Sequence, residues 1–203
     1  MDEARSVRDF WFGKLPLTAA ALNRRMRFWF GNEGVQERDE QIRVRFGTLL
    51  ERAARGELDA WADGPRRRLS LVILLDQFPR HIFRGTARAF DYDAQALGLT
   101  LSGMQSAADA ALGVVERIFF YMPLQHAEVT EVQEESVAAY RRLREEAPPP
   151  LCATFESALR SAETHRSVIE RFGRFPGRNG ALERASTPEE TKWLKEGGES
   201  FGQ

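Results

Sequence analysis

The chain has 203 residues, 42% hydrophobic and 29% charged, which is ordinary globular usage and enough length for one substantial core. Lys plus Arg number 29 against 30 for Asp plus Glu, so the basic surplus of a non-specific nucleic-acid binder is absent. One cysteine, Cys152, excludes an intramolecular disulfide and a cysteine-held metal cluster.

The first segment, MDEARSVRDFWFG, carries acids in its first turn and no apolar stretch of signal-peptide length. Phe10-Trp11-Phe12, Phe28-Trp29-Phe30 and Trp61 read as core anchors rather than a docking surface, because large aromatics bury the most area. Residues 37–55 set Ile42, Phe46, Leu49, Leu50 and Ala53 at helical spacing, with Gly56 as a stop. Asp63 is the expected cap of a helix opening at Pro65. Its apolar run, LSLVILL at 69–75, is too short to cross a bilayer. The run leads into Asp76-Gln77-Phe78-Pro79, and Pro79 should end or kink the helix.

Thr86 is the expected cap of a helix through Tyr92, Ala96 and Leu99. Residues 114–121 predict a short helix broken near Pro123. A long one should follow to about Glu146, striped by Val129, Val132, Ser136, Tyr140 and Leu143. Pro148-Pro149-Pro150 is firm punctuation. Residues 151–172 predict a helix burying Phe155, Ala158, Ala162, His165, Ile169 and Phe172. A loop rich in Gly, Pro and Arg covers 173–180. Thr187-Pro188-Glu189-Glu190 then spells a capping box for a short helix holding Trp193 and Leu194, ended by Gly197-Gly198. Nowhere is a period of two sustained. The expectation is an all-α, single domain over 1–203, its antiparallel helices arranged as a TPR-like array or bundle. No 34-residue repeat is visible, so any kinship with repeat folds is architectural.

Three segments concentrate polar chemistry beside helix breaks. Residues 74–90 hold Asp76, Gln77, Arg80, His81, Arg84 and Arg88; Asp76 and Arg80 stand four apart and can pair on a helix. The cluster reads either as cations at a helix C-terminus or as an anion grip. Residues 119–129 hold His126 and Glu128, which do not share a helix face. His126 reads as a structural histidine or as a general base. His165 falls in an apolar stripe and needs a hydrogen-bond partner there. The loop after it gathers Arg171, Arg174, Arg178 and Asn179 among glycines that admit close backbone approach. It reads as a ligand loop or as a rigid connector whose arginines pair with helix acids. There is no nucleophile elbow, no dinucleotide or Walker fingerprint, and no spaced His/Glu pair on one helix for zinc.

DFWFG at 9–13, GELDAW at 56–61, LLDQFPR and RGTARAF at 74–90, YMPLQHAE at 121–128, RFGRFPGRN at 171–179 and STPEE at 186–190 occur together in this order. In these strings the chain resembles the bacterial domain-of-unknown-function family number 924, from residue 9 to Ser200-Phe201. The resemblance implies a TPR-like helical fold and no activity, since the family is named for lacking one. Three positions depart from its pattern: His81 stands for a usual Asn, Gln125 for a usual Glu and Gly177 for a usual His.

The preferred expectation is one polar pocket for a small anionic ligand bearing phosphate or carboxylate. Gln77, Arg80, Arg84, Arg174, Arg178 and Asn179 would bind it. His126 or His165 would act as base or acid if a reaction occurs, with Asp76 as orienting carboxylate. Neither metal nor cofactor is expected, and the absence of membrane and secretion signals points to the cytoplasm. The competing reading is a non-catalytic scaffold for a protein or peptide, as TPR-like grooves provide. RNA contact through the five arginines of 166–184 is disfavoured by the near-zero net charge.

Overall fold

The computed structural model describes residues 2–16, 18–199 and 201; Ser200 lies outside them. Among the described residues there are eleven α-helices, joined mainly by 3-10 turns, and no strand. Local sequence fixes most starts. Asp2 accepts the Ala4 N–H to open α1 (Glu3–Phe12), and Thr18 accepts the Ala21 N–H to open α2 (Ala19–Phe30). In α3 (Val35–Ala54) the residues Ile42, Phe46, Leu49, Leu50 and Ala53 are buried, as their spacing requires. Gly56, with φ +79°, follows its end.

α4 (Pro65–Val72) opens on Pro65, where a missing N–H costs nothing. Its cap position is Gly64, one residue later than expected, because Asp63 completes a 3-10 turn that buries Trp61. Pro79 does not stop the chain. Residues Ile73–Gln77 form a wide π turn in which the Phe78 N–H reaches the Ile73 carbonyl, and α5 (Phe78–Ile82) continues beyond it. A proline ring crowds the carbonyl four residues back and offers no donor. Widening the turn immediately before Pro79 accommodates both defects without ending the rod.

Thr86 caps no α-helix. Its hydroxyl donates to the Phe83 carbonyl (2.7 Å), a 3-10 turn follows over Ala87–Phe90, and α6 begins at Asp93 and runs to Gln105. α7 (Val114–Phe120) is succeeded by two helices where the pattern predicts one long helix: α8 (Met122–His126) and α9 (Thr130–Glu145). The Gln133 amide explains the break. It donates to the carbonyls of Gln125 and Ala127, both at 2.7 Å, and satisfies the end of α8. Val129 falls in that break and is exposed, not part of a buried stripe. α10 (Cys152–Phe172) folds back along α9 as a helical hairpin, a pairing compatible with a TPR-like arrangement. α11 (Pro188–Lys195) carries the expected capping box: the Glu190 N–H donates to Thr187 Oγ1 (3.1 Å) and the Thr187 N–H to Glu190 Oε2 (2.7 Å). No helix among the described residues is long and apolar enough to cross a membrane.

The core is aromatic where α1, α2 and α7 meet. Trp11, Phe12, Trp29 and Phe119 are buried, and Phe119 presents its edge to Trp29 at 4.5 Å between ring centroids. The Trp29 indole N–H donates to the Trp11 carbonyl (2.9 Å), so the polar end of the ring is also satisfied. Phe30 departs from the core-anchor expectation: it lies parallel to Phe119 yet keeps 52% of its surface exposed. Phe119→Ala is expected to cost about 3–5 kcal/mol in urea unfolding, because it empties a ring-sized volume among rigid neighbours. Phe30→Ala should cost far less in the same measurement.

Candidate functional site

Asp76 has no exposed surface. A buried carboxylate is tolerated only when charge and hydrogen bonds replace its water. The π turn delivers Asp76 and Gln77 side by side to the interior, and the Gln77 amide donates to Asp76 Oδ2 (2.5 Å). α8 places His126 opposite, with Nδ1 to Asp76 Oδ1 at 2.6 Å. α5 places Arg80 3.8 Å from Asp76 Oδ1. Arg80 in turn forks onto Asp93 of α6 (2.8 and 3.0 Å) and donates to the carbonyls of Asp76 and Ala89. Arg178 continues the chain, 3.4 Å from Asp93 and between the rings of Phe90 and Phe175.

A second network adjoins the first. Asp39 of α3 accepts from Arg84 (2.8 and 3.1 Å) and meets His81 Nδ1 at 2.7 Å. Arg38 lies 3.9 Å from Asp39 and turns its guanidinium onto the Phe28 and Gly31 carbonyls at the end of α2.

Both networks back onto one cavity of about 470 Å³ between α2, α5, α8 and α10. Its wall includes Arg38, Arg80 and Arg84 and all three histidines of the chain, His81, His126 and His165. Among the described residues no carboxylate is in the wall; Asp39, Asp76 and Asp93 stand behind it. Apolar residues of α2 and α8, with Ile118 and Phe201, complete it.

The histidines share one chemical state. His165 Nδ1 lies 2.8 Å from the Ser161 carbonyl, which can only accept, so Nδ1 carries the proton. His81 and His126 meet carboxylates through the same nitrogen. Burial lowers the pKa of His126, reinforced by Arg80 and opposed by Asp76. Burial likewise lowers His81, against Asp39, and lowers His165 to about 3. For Asp76, burial acts upward, but the Arg80 guanidinium and the hydrogen bonds from His126 and Gln77 hold it below the usual carboxylate range. Asp76 is therefore ionised and the imidazoles neutral near pH 7, each with a bare Nε2. A neutral imidazole held by a carboxylate through Nδ1 is equipped to accept a proton at Nε2. The rings of His126 and His165 lie 6.3 Å apart, and Phe201 stacks on His165 at 3.7 Å.

The residues expected from sequence divide accordingly. Gln77, Arg80, Arg84, His126 and His165 line the cavity, Asp76 lies under its floor and Arg178 stands behind Asp93. Arg174 and Asn179 do not reach it. Arg174 forks onto Glu190 (2.6 and 2.8 Å) and donates to the Ala185 carbonyl. Asn179 donates to Ser186 and Glu190 and accepts from Arg184 (3.0 Å). These contacts tie the 173–186 connector to the capping box of α11, so for these two residues the loop is a rigid connector. Of the departures from the resembled pattern, His81 and Gln125 line the cavity, whereas Gly177 sits in the 3-10 turn Pro176–Arg178 away from it. Among the described residues no group of three or more His, Cys, Asp or Glu is placed to hold a metal ion.

Sequence reading missed Arg38, Asp39, Asp93 and the apolar wall. A weak signal existed in α10: Thr154, Ser157, Ala158, Ser161 and His165 recur at helical spacing, and all five line the cavity.

Two outcomes test this electrostatic state. Nitrogen-15 spectra of the side chains at pH 7 should show His81, His126 and His165 as neutral Nδ1–H tautomers. A lowered histidine pKa contributes stability that is complete above the unfolded value of 6.5 and is lost as pH falls toward the folded value. Unfolding free energy should therefore decline from pH 6.5 toward 3, and His165→Asn should flatten that decline.

The comparisons with known proteins agree with this architecture. The family described as bacterial protein of unknown function (DUF924) matches residues 7–198. The solved structure of a protein of unknown function from Agrobacterium tumefaciens is similar at 36% identity, over 95% of this chain and 97% of that one, with a TM-score of 0.79. No curated protein matches.

Proposed function

The chain belongs to the DUF924 family, and we propose that its cavity binds a small anionic ligand on which His126 acts as a proton acceptor. The observation that supports this reading is the composition of one wall: three guanidinium groups and three neutral imidazoles, with Asp39, Asp76 and Asp93 held behind them. Anions are drawn to such a surface, and forked Arg donors suit carboxylate or phosphate oxygens. The volume lies in the range of small-molecule pockets.

The residues have separable roles in this reading. Arg84, at the rim and 39% exposed, meets the anion first. Arg38 is deeper, with its nearest carboxylate, Asp39, at 3.9 Å. Arg80 is engaged by Asp93 and acts through its field and by holding Asp76. Asp76 fixes the His126 tautomer, so the Nε2 lone pair is available to take a proton from the ligand or from a water beside it.

The test is a thermal-shift panel of carboxylated and phosphorylated metabolites on wild type, Arg84→Gln, His126→Gln and Arg174→Gln. A ligand at one hundred times its dissociation constant should add about 2.7 kcal/mol to wild-type stability. The gain should be lost or much reduced in Arg84→Gln and kept in Arg174→Gln, whose side chain belongs to the connector. A shift abolished by Arg174→Gln and indifferent to Arg84→Gln would overturn the assignment.

A further inference from the structure

The cavity wall has two unlike halves, and together they restrict what fits. The polar half carries an imbalance of charge. Among the described residues Arg38, Arg80, Arg84 and Arg178 are ion-paired only with Asp39, Asp76 and Asp93, with the histidines neutral. The neighbouring pairs Arg184–Glu128 and Arg174–Glu190 cancel internally. Arg38 is answered mainly by the carbonyl dipoles of Phe28 and Gly31, with its nearest carboxylate at 3.9 Å and already engaged by Arg84 and His81. Among the described residues one positive charge is left over, and a second negative charge brought in would find no counterpart there, a costly state for a buried ion.

The other half is apolar and includes flat groups. Met26, Phe30 and Met122 line it with Ile118 and Phe201. Phe30 is an exposed ring whose orientation is set by stacking parallel on Phe119. Thioethers and ring faces favour a planar apolar body over a flexible chain, which also loses more rotamer entropy on binding.

We infer that the ligand is a ring-bearing monocarboxylate, its carboxylate toward Arg38 and Arg84 and its ring against Phe30. The inference rests on the anion-binding reading above and narrows it to a chemical class.

Isothermal titration at pH 7.5 with three probes separates the two claims: 3-phenylpropanoate, nonanoate of equal carbon number, and phenyl phosphate. The ring acid should bind about tenfold tighter than nonanoate, the advantage that aromatic contact supplies beyond area. It should also bind tighter than phenyl phosphate. Phe30→Leu, at an exposed position, should weaken the ring acid more than nonanoate and erase the preference between them, while Arg84→Gln should weaken every probe that binds. Equal binding of nonanoate and the ring acid, or a preference that survives Phe30→Leu, overturns the ring assignment and leaves anion binding standing. Tighter binding of phenyl phosphate overturns the single-charge assignment alone. No binding of any probe, in a wild type that unfolds cooperatively, overturns both.

Discussion

A carboxylate sealed from water organises this molecule. Asp76 has no solvent contact, and an unpaired ion in that position would cost several kcal/mol. Each element near it is arranged to prevent that outcome. The π turn sets Gln77 beside it, α8 brings the His126 imidazole, and α5 brings Arg80. Because Arg80 is itself mostly shielded from water, it needs Asp93, and Arg178 then extends the chain of alternating charge toward the C-terminal connector. One buried anion thus couples the π turn, three helices and the connector. Removing a partner from such a chain leaves the next charge unanswered, which is why the network is all or nothing.

The connector has its own logic. Glu128 accepts a fork from Arg184 and the Phe175 N–H, and Glu190 accepts from Arg174 and the Thr187 N–H. Phe175, packed with Val168 and Ile169, anchors the same loop by burial. The arginines that make this loop conspicuous in sequence therefore serve its shape. Only Arg178 turns toward the interior.

Local features of the fold were legible residue by residue. The Thr187 box, the Ile42-to-Ala53 stripe and the buried face of α10 from Phe155 through Ile169 follow from rules acting within four residues. For Pro79 the local rule allows two outcomes, ending the helix or distorting it, and the structure takes the second by widening the turn. Preference for the second goes with Asp76 meeting His126 of α8, a partner outside any local window. The same limit governs the site. Arg80 and Arg174 are alike in sequence, each near acids and a helix end. Their fates differ because α6 offers Asp93 to one and α11 offers Glu190 to the other. Pair choice among so many arginines and acids is decided by packing, and Arg38 with Asp39 was invisible inside an amphipathic helix for that reason.

The wide turn before Pro79 has one more consequence, for how this segment tolerates change in length. A π turn is equivalent to one residue inserted into an α-helix, and one residue corresponds to about 100° of rotation about the axis. Upstream, Leu69, Leu71 and Val72 hold their phase in the core; downstream, Phe78 and His81 hold another. The extra residue reconciles the two phases in one rod. Straightening the turn with every residue kept would rotate each side chain after it by about 100°, whereas deleting a single position between Ile73 and Gln77 would restore ideal α-helical geometry and leave those side chains facing as they do.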